Sequence, residues 1–237
     1  MTANEHVGVV ASGCADGDDV CERWHVRASM CELLSMGFRC PDANLIAAVA
    51  DGSFADAAKE LAQSLSLPLD ICEGLTCKED GSEILHEFRR EYTRMFIGSP
   101  EPLVDVYESV WDARAKGVRP LLFIGPKAME VERFCKSCGL GMPDGVNEPL
   151  DHVAIELELL EYLASLCAGI AILPEGFDEA MFPGGSPAAA YGRFMTEHLS
   201  MWCSDFSESV IARARIPFYA ALGRMLNAFV EQETSAV

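Results

Sequence analysis

The chain has 237 residues, 50% hydrophobic and 23% charged, a composition that buries a core unaided and excludes a disordered chain. Its 37 acidic and 18 basic residues leave a net charge of −19, which repels phosphate backbones and anionic lipid heads, so no nucleic acid is expected as a partner, whereas a cationic peptide is drawn in. The first basic residue is Arg23; a signal peptide needs a basic start, so no secretory signal is expected and the protein is read as cytoplasmic.

Residues 1–17 are rich in Gly, Ala and Asp without apolar period and are expected to form a flexible acidic tail, followed by one all-helical domain over 18–237. The first helix is predicted from Asp18 or Asp19 through Trp24, Ala28, Cys31 and Leu34 to Gly37. Pro41 opens the next, and 44–49 and 54–65 read as short helices split by "DGS", with Pro68 as a breaker. A helix over 82–96 carries Ile84, Leu85, Phe88, Tyr92, Met95 and Phe96 on one side, and Gly98, Pro100 and Pro102 end it. The stretch "GSPEPLVDVYESVW" is then a loop leading into a short helical turn, the kind of segment that presents side chains from a rigid scaffold.

Gly125 and Pro126 begin a helix that stops near Gly139, and "GLGMPDG" makes a second long loop. Two C-terminal helices are predicted over 188–214 and 218–231, separated at Pro217. No run of alternating β-branched residues is found, so the fold class is all-α, a helical bundle. The longest apolar stretch, 153–173, is interrupted by Glu156, Glu158 and Glu161, which excludes membrane insertion there. The Gly- and Pro-rich loop over 174–187 leaves both a monomer and a homodimer open, since helices exchange across such loops.

Ten cysteines in a chain without export signal read as reduced thiols packed in a core. "CEGLTC" (Cys72, Cys77) and "CKSC" (Cys135, Cys138) together make a four-thiolate zinc site worth weighing, but the spacing fits no strong template. No metal and no cofactor are expected.

The segment "NEPLDHVAIELELLEYL", residues 147–163, places Val153, Leu157, Leu160 and Ala164 in one helical stripe and Ile155, Leu159, Leu163 and Leu166 in a second. Glu156 falls between them, while Glu158, Glu161 and Ser165 share the polar side, so the helix is central and Glu156 is buried. A buried carboxylate needs a partner or a proton, and His152, one turn earlier, is the local candidate. Asn147 or Asp151 is the expected cap, with Pro149 in the first turn. A metal-dependent hydrolase using the Asp151, His152 and Glu156 cluster is the alternative reading. His152 and Glu156 at i,i+4 suit two-ligand metal binding, but no third ligand can be named among the other histidines, His6, His25, His86 and His198. No phosphate loop, nucleophile elbow or zinc-protease motif appears, so no catalytic residue is expected.

Three stretches together resemble the TorD/DmsD family of cytoplasmic chaperones for molybdenum-containing redox enzymes. "EYTRMFIGSPEPLVDVYESVW" is similar to the family's Y-x-x-L/M-F loop and P-x-Y-E-S-V-aromatic motif, with Val106 where a proline often precedes the tyrosine. "NEPLDHVAIELELLEYL" resembles its E-P-x-D-H helix start, and "FMTEHLSMWCSDF" with "PFYAALGRML" its H-L-x-x-W and F-Y-x-x-L closing helices. The resemblance spans about residues 85–230 and implies a single helical-bundle domain of the TorD/DmsD type. It implies a chaperone that binds the twin-arginine leader and apo catalytic subunit of a molybdopterin-containing oxidoreductase, assisting cofactor insertion and delaying export.

Carried over by position, Tyr107, Glu108, Ser109, Pro149, Asp151 and His152 become the leader-binding residues. Two guanidinium forks followed by an apolar stretch need exposed carboxylates beside an apolar groove. Glu101, Asp105, Glu108, Glu148 and Asp151 are candidates for the charge. Phe96, Leu103, Tyr107 and Trp111 are candidates for the groove, Phe96 and Trp111 reading also as core.

Overall fold

In the computed structural model the described residues are 15–77, 81–98, 100–120, 125–140, 149–173 and 176–235. The acidic tail over 1–14, most of the "GLGMPDG" loop, and Asn147 and Glu148 lie outside them. The described residues form ten α-helices and no strand: α1 (Ala15–Phe38), α2 (Ala43–Asp51), α3 (Ser53–Ser64), α4 (Gly81–Tyr92), α5 (Glu108–Ala115), α6 (Pro126–Ser137), α7 (Val153–Cys167), α8 (Pro187–Glu197), α9 (Cys203–Arg213) and α10 (Pro217–Ser235). The all-α expectation holds. α1 starts at Ala15, within the segment read as tail.

Local chemistry sets these boundaries. Asp42 caps α2 by accepting from the Leu45 N–H, and Gly52, at φ 89°, ends that helix in the left-handed region that glycine enters freely. Pro126 and Pro187 sit in first turns, where a missing N–H costs nothing, and the Ser186 side chain caps α8. α7 lies against α1 and α8, and α9 packs on α10. Val153, Leu157, Leu160 and Ala164, the first stripe, are fully buried, and of the second stripe Leu159 and Leu163 are buried while Ile155 and Leu166 are half-buried. Each large apolar side chain among the fully buried ones contributes roughly 1.5–3 kcal/mol of burial. Ser165 departs from the polar side assigned to it: it is buried, its hydroxyl turned to Glu161 Oε1 at 3.2 Å.

Two helices differ from the periodicity. The 82–96 helix changes gauge after Tyr92, and Thr93–Ile97 forms a π-turn. That widening keeps Met95 and Phe96 in the core while Arg94 pairs with Glu91 and donates to the Arg213 carbonyl. The Gly98 N–H closes the turn on Thr93 O at 2.7 Å, and the loop folds back with Val104 N–H on Met95 O at 2.9 Å. Gly98 has φ 62°, and a Cβ there would strike the Glu101 carbonyl and the Pro102 Cα. Gly98→Ala should therefore cost about 1–3 kcal/mol, as strain at a left-handed position plus backbone overlap, read as a lowered denaturant midpoint at unchanged slope.

The second departure is larger. The predicted 188–214 helix is interrupted at His198, whose φ of −123° and ψ of −86° leave the helical region, and a 3₁₀ turn over Leu199–Met201 leads into α9. The apolar period runs through this break. What breaks the helix is polar: His198 and Trp202 turn toward two buried carboxylates supplied by α5 and α7.

Candidate functional site: a junction of two helix starts

The loop before α5 and the loop before α7 meet as an isolated antiparallel bridge between Tyr107 and His152. The first N–H groups of any helix have no partner inside it, and here each helix start satisfies the other's. Val153 N–H donates to Val106 O at 2.8 Å, Glu108 N–H to Asp151 O at 2.9 Å, and Ser109 N–H to Asp151 Oδ2 at 2.9 Å. Asp151 thus caps α5 rather than its own helix. α7 is capped by His152, whose Nδ1 accepts from the Ala154 N–H at 3.1 Å, which corrects the expectation of an Asn147 or Asp151 cap. The Tyr107 ring meets the His152 imidazole edge-on, centroids 5.4 Å apart.

The two motifs, distant in sequence, are therefore one structural unit. Glu108, Ser109, Pro149, Asp151 and His152 are buried and Tyr107 half-buried. This overturns the picture of Glu108 and Asp151 as exposed charge: their first partners are within the protein. Of the other carboxylates, Glu101 is exposed and Asp105 half-buried, paired with Arg114. Leu103 is exposed; Phe96 is core; Trp111 is half-buried, with its indole N–H on Asp105 O at 2.9 Å.

Behind the bridge lies a buried polar cluster. The Glu108 carboxylate, 1% exposed, takes His198 Nδ1 at 3.0 Å on Oε2 and the Lys127 ammonium at 3.3 Å on Oε1. A carboxylate only accepts, so His198 carries its proton on Nδ1. Glu156, fully buried, accepts the Trp202 indole N–H at 3.3 Å. Its donor comes from the turn that precedes α9, not from the His152 ring one turn back. Burial first, and then the charges of Glu108 and Asp151, push the Glu156 pKa well up, which favours its neutral form. Burial also raises Asp151 against the lowering effect of its bonds to Ser109. Burial opposes the charge on Lys127, but Glu108 and Glu130 outweigh it and raise its pKa. His152 goes the other way, down to about 4, through burial and then the Arg39 charge.

His198 and Trp202 belong to the "HLSMW" stretch; their contacts with acids on α5 and α7 were not legible from it. Lys127 carried no signal at all. The hydrolase alternative finds no convergent site: Asp151 faces Ser109, the His152 Nδ1 faces Ala154, and Glu156 faces Trp202. Among the described residues no group of three or more His, Cys, Asp or Glu side chains is placed to hold a metal ion. Cys72, Cys135 and Cys138 are buried free thiols and Cys77 is half-buried, and burial pushes the Cys135 and Cys138 pKa values up to about 12. Among the described residues no helix is long and apolar enough to cross a membrane.

Comparison with known proteins agrees with this architecture. The family described as nitrate reductase delta subunit matches residues 49–208. A chaperone protein TorD from Vibrio cholerae serotype O1 (strain ATCC 39541) is 25% identical over 172 residues, covering 72% of each chain. A chaperone protein TorD from Aliivibrio salmonicida is 26% identical over 172 residues, covering 73% of each. Among solved structures, a putative redox enzyme maturation protein from Archaeoglobus fulgidus superposes with a TM-score of 0.51 at 18% identity, over 86% of this chain and 93% of that one, a likeness of fold. With its family match spanning well over half of the sequence, the chain belongs to the nitrate reductase delta subunit family of TorD-type redox-enzyme maturation chaperones, which are not enzymes.

Proposed function

We propose that this protein captures the twin-arginine leader and apo catalytic subunit of a molybdopterin-containing oxidoreductase in the cytoplasm, assisting cofactor insertion and delaying export. The observation that carries the reading is the junction itself. Two segments that resemble the family's recognition motifs are locked by two reciprocal backbone bonds and a third from the Ser109 N–H to the Asp151 carboxylate into one acid-rich corner of a rigid bundle. On this reading Tyr107, Glu108, Ser109, Pro149, Asp151 and His152 form the leader-binding junction. Tyr107 offers a partly exposed ring, and the buried members hold its shape and its negative potential. The net charge of −19 steers a cationic leader toward the protein.

The test is to purify the tagged protein gently from its native cytoplasm and identify bound proteins by mass spectrometry. Recovery of a molybdopterin oxidoreductase precursor with its leader intact is the expected result. A leader peptide should bind the purified protein about tenfold more tightly than the same peptide with both arginines changed to lysine, because a guanidinium fork pairs bidentately with a carboxylate. A client retained equally well after its leader is deleted would leave a chaperone without leader preference.

A further inference from the structure

Beside the junction, α5, α6 and the broken α8–α9 corner enclose a cleft of about 150 Å³, lined among others by Glu108, Trp111, Asp112, Lys127, Trp202 and Asp205. We infer that this cleft is an arginine-recognition pocket in which Lys127 occupies, in the free protein, the place of an incoming guanidinium. The inference rests on the leader-binding reading and assigns it a subsite.

Three observations carry it. The Glu108 carboxylate is buried at the base of the cleft, where its Oε1 meets the Lys127 ammonium at 3.3 Å and the Glu156 side chain is an acidic neighbour. Acids outnumber bases around the opening, and no ion pair to Asp205 occurs among the described residues, whereas Asp112 already pairs with Lys116. Two indoles, Trp111 and Trp202, are part of the wall, and the Trp111 ring holds a guanidinium from outside the lining, Arg114 at 5.4 Å from its centre. Exposed Met201 at the rim offers apolar contact to an arginine stem.

Lys127 is a substitute of the right charge and the wrong shape. Its ammonium is shared between Glu108 at 3.3 Å, Glu130 at 3.2 Å and the Glu197 carbonyl at 3.3 Å. A point charge satisfies such a carboxylate without the paired, planar donors that a guanidinium supplies. Displaced, Lys127 retains Glu130 on the rim one turn along α6, so exchange does not strand it. The device keeps the deep carboxylate compensated while the site waits and makes arginine compete with an internal cation.

The experiment follows the three indole N–H signals by NMR while the full-length protein is titrated with N-acetyl-Arg-Arg-amide and, separately, N-acetyl-Lys-Lys-amide. Trp111 and Trp202 line the cleft and Trp24 on α1 does not, so Trp24 is the internal control. Saturable shifts of Trp111 and Trp202 alone, with the lysine peptide about tenfold weaker, are expected. Lys127→Met should tighten arginine-peptide binding about threefold to tenfold by removing the competitor. Because that variant leaves Glu108 without its counterion, Asp205→Asn, at an exposed position, gives a second reading: binding about twofold to fivefold weaker. Absent shifts at Trp111 and Trp202, or binding unchanged in both variants, would overturn the pocket. If a full leader peptide still bound, the chaperone reading would survive with its arginines held elsewhere. If the dipeptide entered the cleft but no leader bound, the leader reading would fail instead.

Discussion

Truncating Glu156 to alanine is expected to cost about 3–5 kcal/mol, the sum of a core cavity and a stranded indole N–H, whereas Glu156→Gln should be as stable as the parent at pH 4 and more stable at pH 8. The difference follows from the state of the acid. Glu156 is fully buried near Glu108 and Asp151, and its pKa is raised well above the ordinary carboxylate value. Unfolded, the same group ionises near pH 4.3. As pH rises past that value the unfolded chain releases a proton that the native chain keeps, so native stability falls until the folded pKa is reached. A glutamine keeps an oxygen for the Trp202 indole and has no proton to lose. Its advantage should therefore be absent at pH 4 and grow as pH rises toward 8. Denaturant unfolding of parent, Glu156→Gln and Glu156→Ala between pH 4 and pH 8 checks this. A glutamine variant weakened equally at every pH would show that Glu156 is ionised in the fold.

What the sequence disclosed divides along a physical line. Features set within one helix were legible: the two apolar stripes of α7, the burial of Glu156 between them, the "DGS" break between α2 and α3, and the helix start at Pro126. Each depends on neighbours within a turn or two. The break at His198 was not legible, because residues 188–214 keep a helical apolar period and the interruption answers to carboxylates on α5 and α7. The π-turn after Tyr92 depends likewise on loop 98–104 folding back and on the Arg213 carbonyl. Asp151 is the clearest case. As a short acid just before a helix it reads as that helix's cap, yet it caps α5, because the Tyr107–His152 bridge brings an alternative set of orphan N–H groups within reach. The resemblance therefore singled out the two segments that meet at the bridge, whereas the chemistry that joins them required the tertiary contact.

The same bridge gives the second large effect. His152 is predicted to make the fold acid-labile: its pKa is depressed to about 4 by burial and by the Arg39 charge, and its Nδ1 must stay unprotonated to accept the Ala154 N–H. An unfolded histidine titrates near 6.5. As pH falls from about 6.5 to about 4 the unfolded chain takes up a proton that the native chain refuses, and stability is lost over that window. The full loss is about 3 kcal/mol, from the difference between the two pKa values. His152→Asn retains a side-chain oxygen at the cap, a residue type well suited to it, and does not titrate. Its stability should lie within about 1 kcal/mol of the parent at pH 7.5 and exceed it by about 2–3 kcal/mol near pH 4.5. Glu156 acts in the opposite sense above its unfolded pKa, since its protonated form is the native one, so the parent's overall pH profile is flatter than either residue alone dictates. Comparing each single variant with the parent isolates the two slopes. Unfolding free energies at pH 4.5, 6 and 7.5 for the parent and His152→Asn decide the matter, and parallel profiles would mean that protonation of His152 leaves the α7 cap intact. Because the imidazole closes α7 while its backbone pairs with Tyr107, protonation strains the cap and the bridge together. Acid should therefore loosen the Tyr107–His152 junction before it melts the α1–α7 core.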